Sequence, residues 1–177
     1  MSAGLDRELE PEALAAKGFT LAVETPLRDW ARLAELDPQG AAEGHRVRVE
    51  LRWRRGEDGV PVLEGELAVG LSTPCQRCLE LLTLRLSARP KLYFGRAEQM
   101  GADAVAAGFE ACEPEPGATL RQLLEDEMLL SWPAFPAHGR SEDCGPLADE
   151  LAQLEPAQRG KSSSSPFAVL VDLKRGN

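Results

Sequence analysis

Alternating apolar and polar residues in the middle of the chain predict β-strands there. From His45 to Arg55 every second residue is apolar, up to Trp53, while four of the residues between them are arginines. Successive side chains of a strand point to opposite faces, so this pattern places one face on a core and the other in solvent. A turn at Glu57-Asp58-Gly59 and a second alternating run complete a predicted β-hairpin over residues 45–72.

A third strand and one long helix follow the hairpin. The third strand has apolar residues in alternation at Leu82, Leu84, Leu86, Leu92 and Phe94. Three strands paired in sequence order predict an antiparallel meander with one face on a core. Thr119 and Gln122 have the spacing of a capping box, which predicts a helix near residues 119–131 that covers the sheet.

Shorter elements are predicted before the hairpin. Residues 11–17 favour one helical turn, and residues 19–23 favour a short strand. Thr25-Pro26 has the composition of a helix start, which predicts a helix that ends near Asp37-Pro38. Residues 97–117 are acidic and rich in glycine and proline, so they predict an exposed connection.

These elements predict an α+β fold in one domain over residues 1–177. The chain's 177 residues, of which 43% are hydrophobic, are enough for one core. We expect the core at about residues 19–138 and a flexible linker at 139–165, which ends in four serines. An apolar segment at 166–174 is expected to dock on the domain.

Charge is distributed unevenly along the chain. The net charge is −9, yet residues 45–96 carry ten basic and six acidic side chains, whereas residues 97–160 carry three and thirteen. A basic block between acidic ones bears on binding partners rather than on the fold. The negative total argues against a protein that simply coats nucleic acid.

The outward face of the strand at 45–55 is the best candidate for nucleic-acid contact. Its guanidinium groups suit phosphate oxygens and belong to Arg46, Arg48, Arg52 and Arg54. No aromatic residue interrupts this stripe, since Trp53 has core parity, so base stacking is not expected. The stripe would bind an RNA backbone or an acidic protein surface, or pair only with Glu50 and its cross-strand neighbours.

Cysteines provide the candidate metal site. Cys75 and Cys78 form a CxxC turn between two predicted strands, a spacing that lets two thiolates converge on one tetrahedral ion. His138 and Cys144 could complete a Cys₃His zinc site. The alternative is a set of small buried thiols at the end of the sheet. A thioredoxin-type redox role is less favoured, because the CxxC motif of thioredoxin opens a helix after a parallel strand, whereas Cys75 follows a predicted hairpin.

No motif of an enzyme is present. The sequence has no dinucleotide, Walker, nucleophile-elbow or HExxH motif. Glu125-Asp126-Glu127 would fan around a helix as a solvated face, and Cys112 lies among carboxylates that disfavour a thiolate. We therefore expect a protein that is not an enzyme.

Cellular location is predicted from what the sequence lacks. It has no apolar stretch of about 18 residues and no cationic start followed by an apolar run. We therefore expect a cytoplasmic protein with reduced cysteines.

Four blocks in sequence order resemble one family. Together they are similar to the YceD family of bacterial large ribosomal RNA subunit accumulation proteins. The blocks are Cys75–Glu80, Leu124–Leu130 followed by Trp132-Pro133, His138 with Glu142-Asp143-Cys144, and Pro166–Leu170.

The resemblance implies a factor of ribosome biogenesis that acts by binding. It would support the synthesis, processing or stability of 23S ribosomal RNA. The implied partners are large-subunit rRNA or a pre-ribosomal particle, and a small basic ribosomal protein of the large subunit. Two alternatives stay open: a zinc- or thiol-dependent enzyme that uses the four candidate ligands, and a protein-interaction module that never contacts RNA.

Overall fold

Six strands form a mixed sheet, with five helices, within residues 4–146, which are the residues that the computed structural model describes. This architecture confirms the predicted α+β class. The helices are α1 (Pro11–Ala16), α2 (Ala31–Leu36), α3 (Pro38–Glu43), α4 (Ala102–Ala106) and α5 (Leu120–Leu130). The strands are β1 (Thr20–Pro26), β2 (Arg46–Arg55), β3 (Pro61–Pro74), β4 (Leu81–Ala88), β5 (Lys91–Tyr93) and β6 (Glu110–Ala111).

The chain divides into two compact units. Of the described residues, 4–73 and 81–136 form the first, here called the sheet unit. The second, here called the cysteine unit, comprises residues 74–80 and 137–146. Most of the predicted linker at 139–165 and all of the segment at 166–174 lie outside the described residues, so the predicted domain boundaries stay a prediction.

The strand order is β1-β2-β3-β5-β6, and β4 also pairs with β3. The β2–β3 hairpin is antiparallel, as predicted, and Val49 lies opposite Leu67. β5 and β6 run parallel, however, so the sheet is mixed rather than a purely antiparallel meander. The region predicted as an exposed connection supplies β6 and α4, because Phe109 is buried there against Val62 and Tyr93.

The main core lies on the face of the sheet that the alternation predicted. Trp53 is fully buried, and its ring stacks on that of Phe94 with 4.8 Å between centroids. The capping box of α5 is present, with the Thr119 hydroxyl accepting from the Gln122 N–H. Leu124 and Met128 of α5 belong to the same buried cluster as Trp53. Within residues 4–146, no helix has the length and apolar character to cross a bilayer.

The predicted helix start at Thr25-Pro26 is wrong. Both residues continue β1, where Thr25 pairs with Val47, and the helix that follows begins only at Ala31. The Thr25 hydroxyl accepts from Trp30 Nε1 at 2.8 Å instead of capping a helix. Strand pairing and this buried hydrogen bond therefore override the local composition.

The predicted solvated face of α5 is wrong at Glu125, which is buried. Its Oε1 accepts from the backbone N–H groups of Arg32 at 2.8 Å and Leu33 at 3.1 Å. The Arg32 side chain then bridges Glu125 and the exposed Asp126. Glu125 therefore joins α5 to the first turn of α2, where a negative charge is favourable.

A tight packing site around Gly40 leads to a first prediction. Asp37 is buried and caps α3 by accepting from the Gly40 N–H at 2.8 Å, while its other oxygen accepts from Ser72 N–H at 2.6 Å. A Cβ on Gly40 would lie 2.2 Å from Asp37 Oδ2 and 2.3 Å from His45 Nδ1. Gly40→Ala is therefore expected to lower the free energy of unfolding by about 1–3 kcal/mol in urea denaturation.

The matched control is Gly70→Ala. A Cβ there has no atom within 4 Å, so we expect a change within about 0.5 kcal/mol. Equal stability of the two variants would contradict the packing around Asp37.

Candidate metal centre and basic sheet face

The CxxC turn connects β3 and β4 through a tight backbone loop. Cys75 N–H donates to the Glu80 carbonyl at 2.8 Å, and Leu79 N–H donates to the Cys75 carbonyl at 2.8 Å. Leu79 adopts φ of 64°, a left-handed conformation that costs energy for a residue with a Cβ. These two hydrogen bonds hold the turn closed with both cysteine side chains on its inner side, where they are buried.

The second segment of the cysteine unit supplies the other two candidate ligands. His138 precedes a 3₁₀ turn at Ser141–Asp143, and Cys144 follows that turn directly. Gly145 then packs closely against the Glu80 carboxylate, since a Cβ there would lie 2.6 Å from Glu80 Oε1. This contact keeps the two segments of the unit together beside Cys144.

The four predicted ligands converge. The ligand atoms of Cys75, Cys78, His138 and Cys144 all lie within 4.8 Å of one another. Cys75 Sγ lies 3.9 Å from Cys144 Sγ, and His138 Nδ1 lies 3.5 Å from Cys78 Sγ and 3.6 Å from Cys144 Sγ. A tetrahedral zinc ion requires such atoms to be about 3.5–3.8 Å apart. The cluster could therefore bind a metal ion.

Hydrogen bonds in the cluster favour a metal-ligating thiolate. Burial opposes ionisation of the Cys75 thiol, but backbone N–H groups of His138, Cys78 and Arg77 donate to it and lower its pKa to about 5. Burial, followed by the neighbouring Cys75 and Cys144, raises the pKa of Cys78. Three thiols at this spacing ionise together only with a cation between them, which a divalent metal would supply.

Arg77 is a member of this site that the sequence reasoning missed. Its Nη1 lies 3.4 Å from Cys144 Sγ, and its backbone N–H donates to Cys75 Sγ at 3.4 Å. A Cys₃His site with a divalent ion carries a net charge of −1, which this guanidinium offsets. The only signal in the sequence was the position of Arg77 between the two cysteines of the motif.

Cys112 is not a member of the cluster, and the sequence predicts it to be a poor nucleophile. It belongs to the sheet unit, where burial and the nearby Glu127 and Asp126 raise its pKa to about 11. A thiol with such a pKa is protonated at neutral pH and is a poor nucleophile.

The arginine stripe lies on the face of β2 opposite the main core, but three of its four members have acidic partners. Arg46 lies 3.6 Å from Glu24, and Arg54 lies 3.0 Å from Glu64. Arg48 pairs with Glu50, and this hydrogen bond raises the pKa of Arg48. Only Arg52 has no ion-pair partner among residues 4–146.

These ion pairs reduce the positive potential of the stripe without removing it. Exposed pairs contribute about 0–1 kcal/mol each, so a phosphate can replace a carboxylate at small cost. Glu24 and Glu64 of the neighbouring strands stand directly opposite Arg48 and Arg52, and they pair diagonally with Arg46 and Arg54. RNA binding by Arg46, Arg48, Arg52 and Arg54 stays a prediction.

Comparison with known proteins adds one finding. A family model described as "Large ribosomal RNA subunit accumulation protein YceD" matches residues 63–174, which is more than half of the chain. The match contains the CxxC turn, α5 and the segment with His138 and Cys144. No curated protein and no solved structure matches the chain significantly.

Proposed function

This chain belongs to the YceD family, and on that premise we propose that it promotes the accumulation of large-subunit ribosomal RNA as a cytoplasmic binding factor. The match over residues 63–174 carries the proposal. The factor would contact 23S rRNA or a pre-ribosomal particle and would not catalyse a reaction. The expected phenotype is a lower ratio of 23S to 16S rRNA in cells that lack the protein, restored by the wild-type chain.

We propose zinc as the ion of the cysteine unit. Cys75, Cys78, His138 and Cys144 would hold it, and the ion would stabilise residues 74–80 and 137–146, the described part of the cysteine unit, which has few apolar residues besides its cysteines. Four protein ligands leave no open coordination position for a substrate. This donor set therefore supports a structural zinc site over the alternative of a zinc-dependent enzyme.

We propose that the arginine stripe supplies the RNA contact. Four phosphate contacts predict a slope of log affinity against log salt concentration of roughly −3 to −4. Arg48→Gln with Arg52→Gln is expected to flatten that slope by about 1.5–2 in binding assays on 23S rRNA fragments. Both side chains are exposed, so folding should be nearly unchanged.

Two matched variants make this prediction specific. Arg7→Gln with Arg28→Gln removes the same charge from exposed positions off the stripe and should leave the slope unchanged. Glu50→Gln frees Arg48 from its partner and should tighten binding. If the slope of log RNA affinity against log salt concentration were equal for all variants, the stripe would not contact RNA, and the alternative of a protein-interaction module would be favoured.

A basic protein partner is the second component of the proposal. Residues 97–160 carry three basic and thirteen acidic side chains, and a net negative charge attracts cationic partners. We propose a small basic ribosomal protein of the large subunit as that partner. Direct binding of purified large-subunit proteins, measured at several salt concentrations, tests this component separately from RNA binding.

A further inference from the structure

A pocket of about 340 Å³ lies on the sheet face that carries the arginine stripe. It lies between the β2–β3 turn and α4, within the sheet unit. Val62, Tyr93 and Phe109 are buried in one apolar cluster and line the pocket. Its volume is in the range of sites that bind small molecules or single side chains.

One carboxylate in this pocket is held in place and stays ionised. Asp58 accepts a hydrogen bond from Tyr93 Oη at 2.6 Å and one from the Val60 N–H at 3.1 Å. The hydrogen bond from Tyr93, followed by that from Val60, lowers the pKa of Asp58. The pocket therefore combines an apolar lining with a fixed negative charge.

The other charges of the pocket add to this negative potential. Glu57 and Asp103 also line it, and neither has an ion-pair partner among residues 4–146. Among residues 4–146, Arg54 is the only cation in the lining. Glu64 accepts from the Arg54 Nε at 3.0 Å, and the Arg54 guanidinium lies 5.6 Å from the centre of the Phe109 ring. Two carboxylates thus stay available to a ligand.

We propose that this pocket binds an arginine side chain of a basic protein segment. The apolar lining suits the aliphatic stem and planar face of arginine, while the free carboxylates suit its guanidinium fork. Inside the pocket an RNA phosphate would meet three carboxylates and is disfavoured, although Arg54 of the arginine stripe also lines the pocket. The inference deepens the protein-binding component of the proposed function and rests on it.

The chain contains a single tyrosine, Tyr93, so the pocket carries its own reporter. In full-length protein with ¹³C-labelled tyrosine, the one ring signal is followed during titration with acetyl-Gly-Arg-Gly-amide. We expect a saturable shift, and no shift with the citrulline analogue, which has the same shape without the charge. Glu57→Gln with Asp103→Asn should weaken binding of the arginine peptide about tenfold.

Matched probes decide between ligand classes. Glu10→Gln with Glu35→Gln removes the same charge from exposed positions outside the pocket and should leave binding unchanged. Spermidine and a single-stranded oligonucleotide are titrated in the same way. The proposal would be overturned if the citrulline peptide bound as tightly as the arginine peptide, if spermidine bound as tightly or more tightly, or if only the oligonucleotide caused a shift. If the arginine peptide causes no shift but the protein still binds a basic ribosomal protein, the proposed pocket is refuted while the proposed function stands.

Discussion

Cys78→Ser is expected to abolish stoichiometric zinc binding. Wild-type protein purified without chelator should contain about one zinc ion per chain, whereas the variant should lose at least about a hundredfold in zinc affinity. Cys78 Sγ lies 3.5 Å from His138 Nδ1, so it is one of the four donor atoms around the proposed ion. A serine hydroxyl does not ionise at neutral pH and would not replace this thiolate as a ligand. Elemental analysis and competition with a chromogenic chelator measure both quantities.

Cys112→Ser is the matched control for that variant. It removes a thiol from the sheet unit, outside the cluster, so zinc content should not change. Zinc retention in the wild type should also fall as pH is lowered, because protons compete for the same thiolates and imidazole. If wild-type protein contains no zinc and its melting temperature does not change when chelator is added, the cysteines are buried thiols without a metal, as in the alternative interpretation.

The sequence was sufficient to predict which four side chains come together in the cysteine unit, because the constraints on such a cluster are local and chemical. Few sulfur and imidazole groups exist in the chain, and a CxxC turn already brings two of them together. Arg77 was missed because a surface arginine has many conformations, and only the fold selects the one beside Cys144. Ligand identity is encoded by residue type, whereas the partner of a long side chain is set by tertiary contacts.

The arginine stripe was placed on the correct face by alternation alone, since strand periodicity fixes the face of every side chain. Pairing with Glu50 and cross-strand neighbours was one of the alternatives predicted, but the identity of those neighbours was not. Glu24 and Glu64 come from neighbouring strands, and their position opposite β2 depends on the register of two ladders. Neither register can be read from the periodicity of β2.

Non-local contacts explain the remaining differences in the fold. Thr25 and Pro26 have the composition of a helix start, but β2 offers them strand partners. The parallel β5–β6 pair involves only two residues of β6 and is stabilised by burial of Phe109. Glu125 belongs to an acidic run that predicts a solvated helix face, yet it is buried against the first turn of α2. In each case a distant segment decides the outcome of a weak local preference.

Trp53→Ala is expected to lower the free energy of unfolding of the sheet unit by about 3–5 kcal/mol. The side chain is fully buried in β2 and stacks on Phe94, so its removal leaves a large cavity between the sheet and the residues that cover it. A loss of that size is a large share of the stability of an ordinary domain. Chemical denaturation followed by circular dichroism measures it.

Trp53→Phe separates the packing of the ring from the polarity of the indole. Trp53 Nε1 is buried and has no hydrogen-bond partner among the described residues, so the native side chain carries a desolvation cost that phenylalanine does not. Phenylalanine also keeps a ring to stack on Phe94. We therefore expect Trp53→Phe to cost less than half of what Trp53→Ala costs. Equal losses for both variants would place the stabilising contacts in the part of the indole ring that phenylalanine lacks. A loss under about 1 kcal/mol for Trp53→Ala would contradict the register of β2.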